Sequence, residues 1–97
     1  FRELGHRRGV ARILECFAAS AAEEGQARRA LRLAGAAAAL RQSLGAPLPR
    51  ADQDRLERSL EPARRALPDT DGTSAWLEGW VMPADRAIES ALASEPA

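Results

Sequence analysis

Apolar residues recur every three or four positions through most of the chain, which is the spacing of one face of an α-helix. The first such segment predicts a helix from about Arg8 to Glu24. Its apolar face consists of Val10, Ile13, Leu14, Phe17, Ala18 and Ala21. Gly25 follows and favours the left-handed backbone conformation that ends a helix. Because no stretch alternates apolar and polar residues over the length of a strand, the pattern predicts an all-α fold.

The second predicted helix, residues 26–44, carries two apolar stripes that are rotated against each other. The stripes are Ala27, Ala30, Leu31, Ala34, Ala37 and Ala38 on one side, and Leu33, Ala37, Leu40 and Leu44 on the other. Such a helix must be covered from two sides, so we expect more than one partner helix. The run Ala36–Ala39 has little side-chain bulk and lets a neighbouring backbone approach closely. Arg41 lies outside both stripes and is expected to be exposed. Gly45 ends the helix.

A third helix is predicted over residues 50–67. Its apolar face consists of Leu56, Leu60, Ala63 and Leu67. Pro62 lies inside this pattern and removes one backbone hydrogen bond. We expect a kink at Pro62 rather than a division into two helices.

The last third of the chain predicts two short helices after a turn. Residues 69–73 are rich in Asp, Thr and Gly, which favour a turn. Two helices are expected in residues 74–92. Thr73 or Ser74 is the expected N-cap of the first, and Pro83 suits the first position of the second.

Residues 1–97 are enough for one small domain, with residues 93–97 as a frayed tail or linker. Alanine supplies 22 residues, and larger apolar side chains supply another 22. Domains of this size with a thin core are marginally stable. The composition therefore predicts a small, alanine-rich helical domain.

The charges of the chain cancel. All 14 basic residues are Arg, and 14 acidic residues balance them. A neutral chain lacks the concentrated positive field of a nucleic-acid or anionic-membrane surface, so we expect neither partner. The single Cys excludes an internal disulfide and suits a reducing, cytoplasmic environment. No apolar run approaches the roughly 18 residues that span a bilayer.

The residues that most often carry chemistry lack companions here. His6 is the only imidazole, and we expect it to be exposed near a turn rather than to bind a metal. Cys16 lies in the middle of a predicted helix and is expected to be partly buried as a small apolar side chain. The sequence Asp69-Thr-Asp-Gly resembles the start of a calcium loop, but the twelfth position is Trp80 instead of an acid.

The carboxylates fit the pattern of a solvated helix face. Three acid–arginine pairs have i,i+4 spacing: Glu24 with Arg28, Asp54 with Arg58, and Glu61 with Arg65. The first pair counts only if Gly25 does not break the helix. There is neither a Gly-rich phosphate loop nor a G-x-S-x-G motif. We therefore expect a protein that is not an enzyme, with no catalytic residue, metal or cofactor.

Three aromatic residues are candidates for an interaction surface. Trp76 and Trp80 are four residues apart and share one helical face, so they could anchor a partner or plug the open end of the core. Phe17, on the first predicted helix, is the third candidate.

Residues 11–42 resemble a degenerate tetratricopeptide repeat. The resemblance is carried by Leu14, Phe17-Ala18, Gly25, Ala30 and Ala37. The small residues let two antiparallel helices pack closely, and Gly25 permits the reversal between them. The pattern does not recur in the second half of the chain. The resemblance implies an αα-hairpin (tetratricopeptide-like) superhelix of about five helices.

A longer resemblance covers nearly the whole chain. It is carried by Leu4-Gly-His-Arg-Arg-Gly-Val-Ala, Glu15-Cys-Phe-Ala-Ala, Leu33-Ala-Gly-Ala-Ala-Ala-Ala-Leu-Arg, Leu44-Gly-Ala-Pro-Leu-Pro, Ala75-Trp-Leu-Glu-Gly-Trp and Ala84-Asp-Arg-Ala-Ile-Glu-Ser-Ala-Leu. These segments resemble the C-terminal helical-repeat region of large bacterial transcriptional regulators. Those proteins join a signalling ATPase to tetratricopeptide-like helices and a LuxR-type or winged-helix DNA-binding domain. The resemblance implies that residues 1–5 end a preceding helix of a longer protein.

The expected function is non-catalytic. The resemblance implies a protein–protein interaction or effector-sensing segment of a transcriptional regulator, whose partners are other domains of that regulator or a second copy. The alternative is a stand-alone all-α protein that dimerises or binds a small apolar ligand. We expect a homodimer through the first two helices, because Val10, Ile13 and Phe17 form an apolar face that lacks a cover.

Overall fold

The computed structural model describes the backbone of residues 2–92 and the side chains of residues 6–92. This part of the chain forms five helices: α1 (Arg2–Glu23), α2 (Ala27–Leu44), α3 (Arg50–Ala66), α4 (Asp69–Trp80) and α5 (Ala84–Leu92). The predicted all-α fold class is confirmed. The predicted tail at residues 93–97 lies outside the described residues.

Two glycines end the first two helices, as predicted. Gly25 has φ of 80° and Gly45 has φ of 63°, a region that side chains with a Cβ rarely adopt. Beyond Gly25, the Gln26 N–H donates to the Ala21 carbonyl at 2.9 Å, and an equivalent bond closes α2. These bonds pair carbonyl groups that the helix ends would otherwise leave unsatisfied, and they reverse the chain direction.

Each of the three later helices begins directly after a proline. Pro49, Pro68 and Pro83 precede α3, α4 and α5, and the carbonyl of each accepts a helical N–H at 2.9 to 3.0 Å. Proline has no amide hydrogen to leave unpaired and a φ near the helical value, so it suits a helix start.

The predicted turn at residues 69–73 is wrong, because these residues form the first turns of α4. Asp69 and Asp71 lie in the first turn, where carboxylates interact favourably with the positive end of the helix dipole. Thr73 and Ser74 therefore lie inside α4 and do not cap it.

Two other expectations need correction or stay open. The backbone of residues 2–5 continues into α1, so it does not end a preceding helix; Phe1 lies outside the described residues. α3 is not divided at Pro62, which lies inside it and is exposed. Water can therefore bond the carbonyl group that Pro62 leaves without a donor. The kink at Pro62 stays a prediction.

α2 is the central helix of the fold. It packs against α1 as an antiparallel hairpin and against α4 almost as extensively, with smaller contacts to α3 and α5. Its two apolar stripes are thus covered from two sides, as expected. In a superhelix of stacked repeats each unit contacts only its neighbours along the chain. Because α2 also contacts α4 and α5, the tetratricopeptide-like superhelix stays a prediction.

α2 and α4 cross at two glycines. A Cβ atom on Gly79 would overlap the carbonyl oxygen of Arg32 and lie 2.9 Å from the Ala36 amide nitrogen. A Cβ atom on Gly35 would overlap the carbonyl oxygen of Trp76. The two backbones are therefore in direct contact. A close approach to the second helix was predicted at Ala36–Ala39, but the crossing is centred on Gly35, and Ala36 is the one residue of that run that it includes.

The core consists mostly of alanine with a few larger side chains. Those that are fully buried are Leu14, Leu31, Leu33 and Leu60. Of the three residues expected to form an uncovered apolar face, Ile13 is 51% exposed and Phe17 is partly buried against the core, whereas Val10 is buried. The buried face of α1 is rotated toward Ala11 and Ala22, which turns Ile13 toward the surface.

Candidate functional site

The three predicted interaction residues do not form one site. Phe17 lies on α1, whereas Trp76 and Trp80 lie on α4 with stacked rings whose centroids are 5.0 Å apart. Both tryptophans are half-buried, and Trp76 packs against the core. Trp76 also lines a cavity together with residues of α2 and α3.

A cleft of about 480 Å³, here called the α1–α3 cleft, lies between α1, α3 and the loop before α3. Its apolar lining comes from Ala19 of α1, Leu48 and Pro49 of the loop, and Leu56 of α3. Its charged lining is Arg8, Arg12, Glu15, Arg41, Asp52 and Arg55. The cleft thus combines large apolar side chains with several arginines.

A second cavity of about 370 Å³, here called the α2–α4 notch, adjoins this cleft. Ala34 and Ala38 of α2, Leu60 of α3 and Trp76 of α4 contribute to its lining. The residues that line both cavities are Glu15, Arg41, Leu48 and Leu56. We call the two cavities together the groove.

An arginine–carboxylate pair lies where the two cavities adjoin. Arg41 donates to both carboxylate oxygens of Glu15, from Nε to Oε2 and from Nη2 to Oε1, the latter at 3.0 Å. Its Nη1 donates to the Ala46 carbonyl at 3.1 Å. The side chains of Arg41 and Glu15 are only 15% and 11% exposed, so the expectation of an exposed Arg41 is wrong. The pair joins α1 to α2 and holds the loop that carries Leu48.

The arginines of the α1–α3 cleft are not all neutralised. Arg55 lies 3.5 Å from Asp52, and Glu15 is engaged by Arg41. Arg8 and Arg12 are exposed and have no ion-pair partner in the part of the chain that the structure describes. The cleft therefore carries excess positive charge on α1.

The arginines at the start of α2 have a structural role that the sequence pattern did not reveal. Arg28 and Arg32 contact the Glu78 carboxylate of α4 at 2.9 and 3.5 Å. Arg29 donates to the Ala91 carbonyl at 2.8 Å, at the negative end of α5. These arginines connect α2 to α4 and α5 across more than 40 residues of sequence, so local spacing gives no signal for them.

Of the three acid–arginine pairs with i,i+4 spacing, one forms within the described residues. Glu61 and Arg65 are 3.9 Å apart. The pair of Glu24 with Arg28 is absent because the chain reverses between the two residues and Arg28 contacts α4 instead. Asp54 and Arg58 do not pair within residues 6–92.

His6 and Cys16 are both exposed on α1. The expected exposure of His6 is confirmed, but the residue lies inside a helix and not near a turn. The expectation of a partly buried Cys16 is wrong, because its side chain lies outside the buried face of α1 and lines the α1–α3 cleft. Within the described residues, no group of three or more His, Cys, Asp or Glu side chains is placed to hold a metal ion.

Leu48 and the pair Arg8 and Arg12 were not among the predicted site residues. Leu48 stands between Pro47 and Pro49, and a large apolar residue between two prolines in a loop was the available signal. Arg8 and Arg12 have i,i+4 spacing. Because the chain has as many acidic as basic residues, the sequence gave no reason to single these two arginines out.

Comparison with known proteins adds no assignment. No protein-family model, no curated protein and no solved structure matches this chain. None of the helices in residues 2–92 is both long and apolar enough to cross a bilayer.

Proposed function

We propose that this chain is a non-catalytic protein-interaction segment of a bacterial transcriptional regulator, and that the groove is where it binds its partner. The observation that carries the proposal is the lining of the α1–α3 cleft. Large apolar side chains, Leu48 and Leu56, stand beside exposed arginines in a cavity of about 480 Å³. Protein-binding surfaces combine apolar anchors with arginine in this way.

The groove is held open by contacts that do not depend on a ligand. Arg41 fixes the loop through Glu15 and the Ala46 carbonyl, so Leu48 has a defined position. A preformed site loses less conformational entropy on binding than one that must be ordered. The regulatory context rests on the resemblance of the sequence to the helical-repeat regions described above.

The test is a pair of leucine substitutions in the chromosomal copy of the gene. Leu48→Asp places a charge in the groove, and Leu77→Asp makes the same change on the outer face of α4, where Leu77 is 50% exposed. RNA sequencing should show that Leu48→Asp changes the same transcripts as deletion of the gene. Leu77→Asp should leave those transcripts unchanged.

Thermal melts of the two purified variants control for folding and should show similar midpoints. If deletion of the gene changes transcripts but Leu48→Asp does not, the groove is not the site at which the partner binds. A deletion strain without transcript changes would remove the regulatory role.

Self-association is the alternative, and one observation favours it. Ile13 is 51% exposed on the helix that carries half-buried Phe17, so an apolar edge of α1 remains open. If this edge is a homodimer interface, sedimentation at several concentrations should show a mass that rises with concentration. Phe17→Glu should then return the protein to a monomer. A mass near 10.4 kDa at all concentrations would contradict the dimer.

A further inference from the structure

We infer that the α1–α3 cleft takes an acidic segment of a partner protein, in which Asp or Glu residues stand beside large apolar side chains. This inference rests on the proposed interaction function and names the chemistry of the partner. It follows from two features of the cleft: the arginines without partners, and the leucines beside them.

The charge of the cleft is local and uncompensated. Arg8 and Arg12 are one helical turn apart on α1 and have no partner within the described residues, whereas both carboxylates of the cleft already contact an arginine. The whole chain has a formal net charge of zero, so this excess is a property of the cleft. A guanidinium group binds a carboxylate through two parallel hydrogen bonds.

The other arginine cluster of the chain is occupied. Arg28 and Arg32 contact Glu78, and Arg29 contacts the end of α5. Of the arginines that line the groove, Arg8 and Arg12 are therefore the ones without an ion-pair partner in the described residues. Complementary charge of this kind steers a partner to the right surface and selects against partners of the wrong sign.

The apolar lining distinguishes a peptide from a nucleic acid. Leu48, Pro49 and Leu56 offer a surface to aliphatic or aromatic side chains, which a phosphate backbone does not provide. Among the described residues, no aromatic side chain lines the cleft for base stacking, and Glu15 and Asp52 would repel phosphates. The cavity volume lies in the range of about 300–1,000 Å³ that is usual for ligand sites.

The binding test uses a fluorescein-labelled peptide of about 14 residues with Glu and Leu at alternating helical positions. Two control peptides replace every Glu by Lys or every Leu by Ser. Fluorescence anisotropy should show that only the Glu–Leu peptide binds, and that its affinity falls about tenfold between about 0.05 M and 0.5 M salt. A labelled DNA duplex should not bind.

Arginine variants locate the interaction. Arg8→Glu with Arg12→Glu should weaken binding of the Glu–Leu peptide at least about tenfold. The matched control is Arg58→Glu with Arg86→Glu, which makes the same change in net charge at exposed positions outside the cleft and should alter the affinity less than about twofold.

Cys16 provides an independent readout of position. It is the only Cys of the chain, it is exposed, and it lines the cleft. Bound peptide should slow the alkylation of Cys16 by N-ethylmaleimide severalfold. An unchanged alkylation rate at saturating peptide would place the peptide elsewhere and overturn the inference.

The remaining outcomes separate the inference from the proposed function. Equal binding of the Lys–Leu peptide would overturn the acidic partner but keep an apolar protein-binding groove. Preferential binding of duplex DNA would make the occupant a nucleic acid and overturn both. If no peptide binds at about 1 mM, the inference is wrong, and the transcript changes of Leu48→Asp still decide the proposed function.

Discussion

α2 meets α4, and α1 meets α3, in two different ways. At the first crossing, Gly35 and Gly79 place each backbone directly against the other helix, and no space remains between them. At the second, Leu56 and the loop residue Leu48 line an opening beside the two helices. A cleft of about 480 Å³ is left open there.

The difference shows that one small chain contains both a tightly packed helix crossing and an open cleft lined by side chains. Where side chains are absent, dispersion contacts run along two backbones and the packing has no tolerance for added atoms. Where large side chains stand between helices, the surface is open and a ligand can complete it. The α2–α4 crossing should therefore be the most sensitive part of the fold.

Gly79→Ala should have the largest effect on stability. The new Cβ would overlap the carbonyl oxygen of Arg32, which belongs to a helix backbone and cannot rotate away. The helix propensity gained by replacing glycine, up to about 1 kcal/mol, is smaller than the overlap penalty. We expect a loss of about 3 kcal/mol or more in the free energy of unfolding, measured by urea denaturation.

The matched control is Gly72→Ala on the same helix. A Cβ there would lie 3.5 Å from the Leu31 Cδ1 atom, an ordinary contact. This variant should be neutral or up to about 1 kcal/mol more stable. Equal stabilities of the Gly72 and Gly79 variants would mean that the two backbones are not in contact.

Ala37→Leu should have the next largest effect. Ala37 is 1% exposed in the small-residue stripe of α2, so three extra carbon atoms must displace packed neighbours. We expect a loss of about 1–3 kcal/mol. Arg58→Gln, at an exposed position without an ion pair in the described part of the chain, should change stability by less than about 0.5 kcal/mol. An unchanged melting midpoint for Ala37→Leu would show that this face of α2 is open.

Arg41→Gln should have a smaller effect, and it changes a residue that lines the α1–α3 cleft. The substitution removes the hydrogen bonds to Glu15 and leaves that carboxylate without its partner. We expect a loss of about 1–2 kcal/mol, because the pair is mostly buried but still reaches water. Thermal melts of Arg41→Gln beside Arg58→Gln measure it. Identical midpoints would mean that Arg41 does not hold the loop.

Much of the helix layout could be predicted because its causes are local. Gly25 and Gly45 adopt the left-handed conformation that the sequence indicated, and Pro83 stands at the start of the last helix. Alanine, leucine and arginine have high intrinsic helix propensity. The composition and periodicity therefore sufficed for the all-α class.

The errors share a physical cause, which is competition between local preference and tertiary contact. Residues 69–73 have weak helix propensity, yet they are helical because α4 packs along α2 and two acids suit its positive end. Ile13 fits an apolar stripe by spacing, but the face of α1 that is buried depends on where α2, α3 and α5 lie. Periodicity identifies an apolar stripe on a helix, but it does not specify which part of that stripe the neighbouring helices cover.

The sequence by itself determined the number and type of the elements and most of their ends, because glycine, proline and alanine act on the backbone within a few residues. Only the tertiary structure decided which surfaces remain open. It paired Arg28 with Glu78 and Arg41 with Glu15, and it left Arg8 and Arg12 without a partner in the described residues. These outcomes depend on residues that are 26 to 50 positions apart along the chain. A local sequence pattern does not specify the spatial distance between residues that are so far apart along the chain.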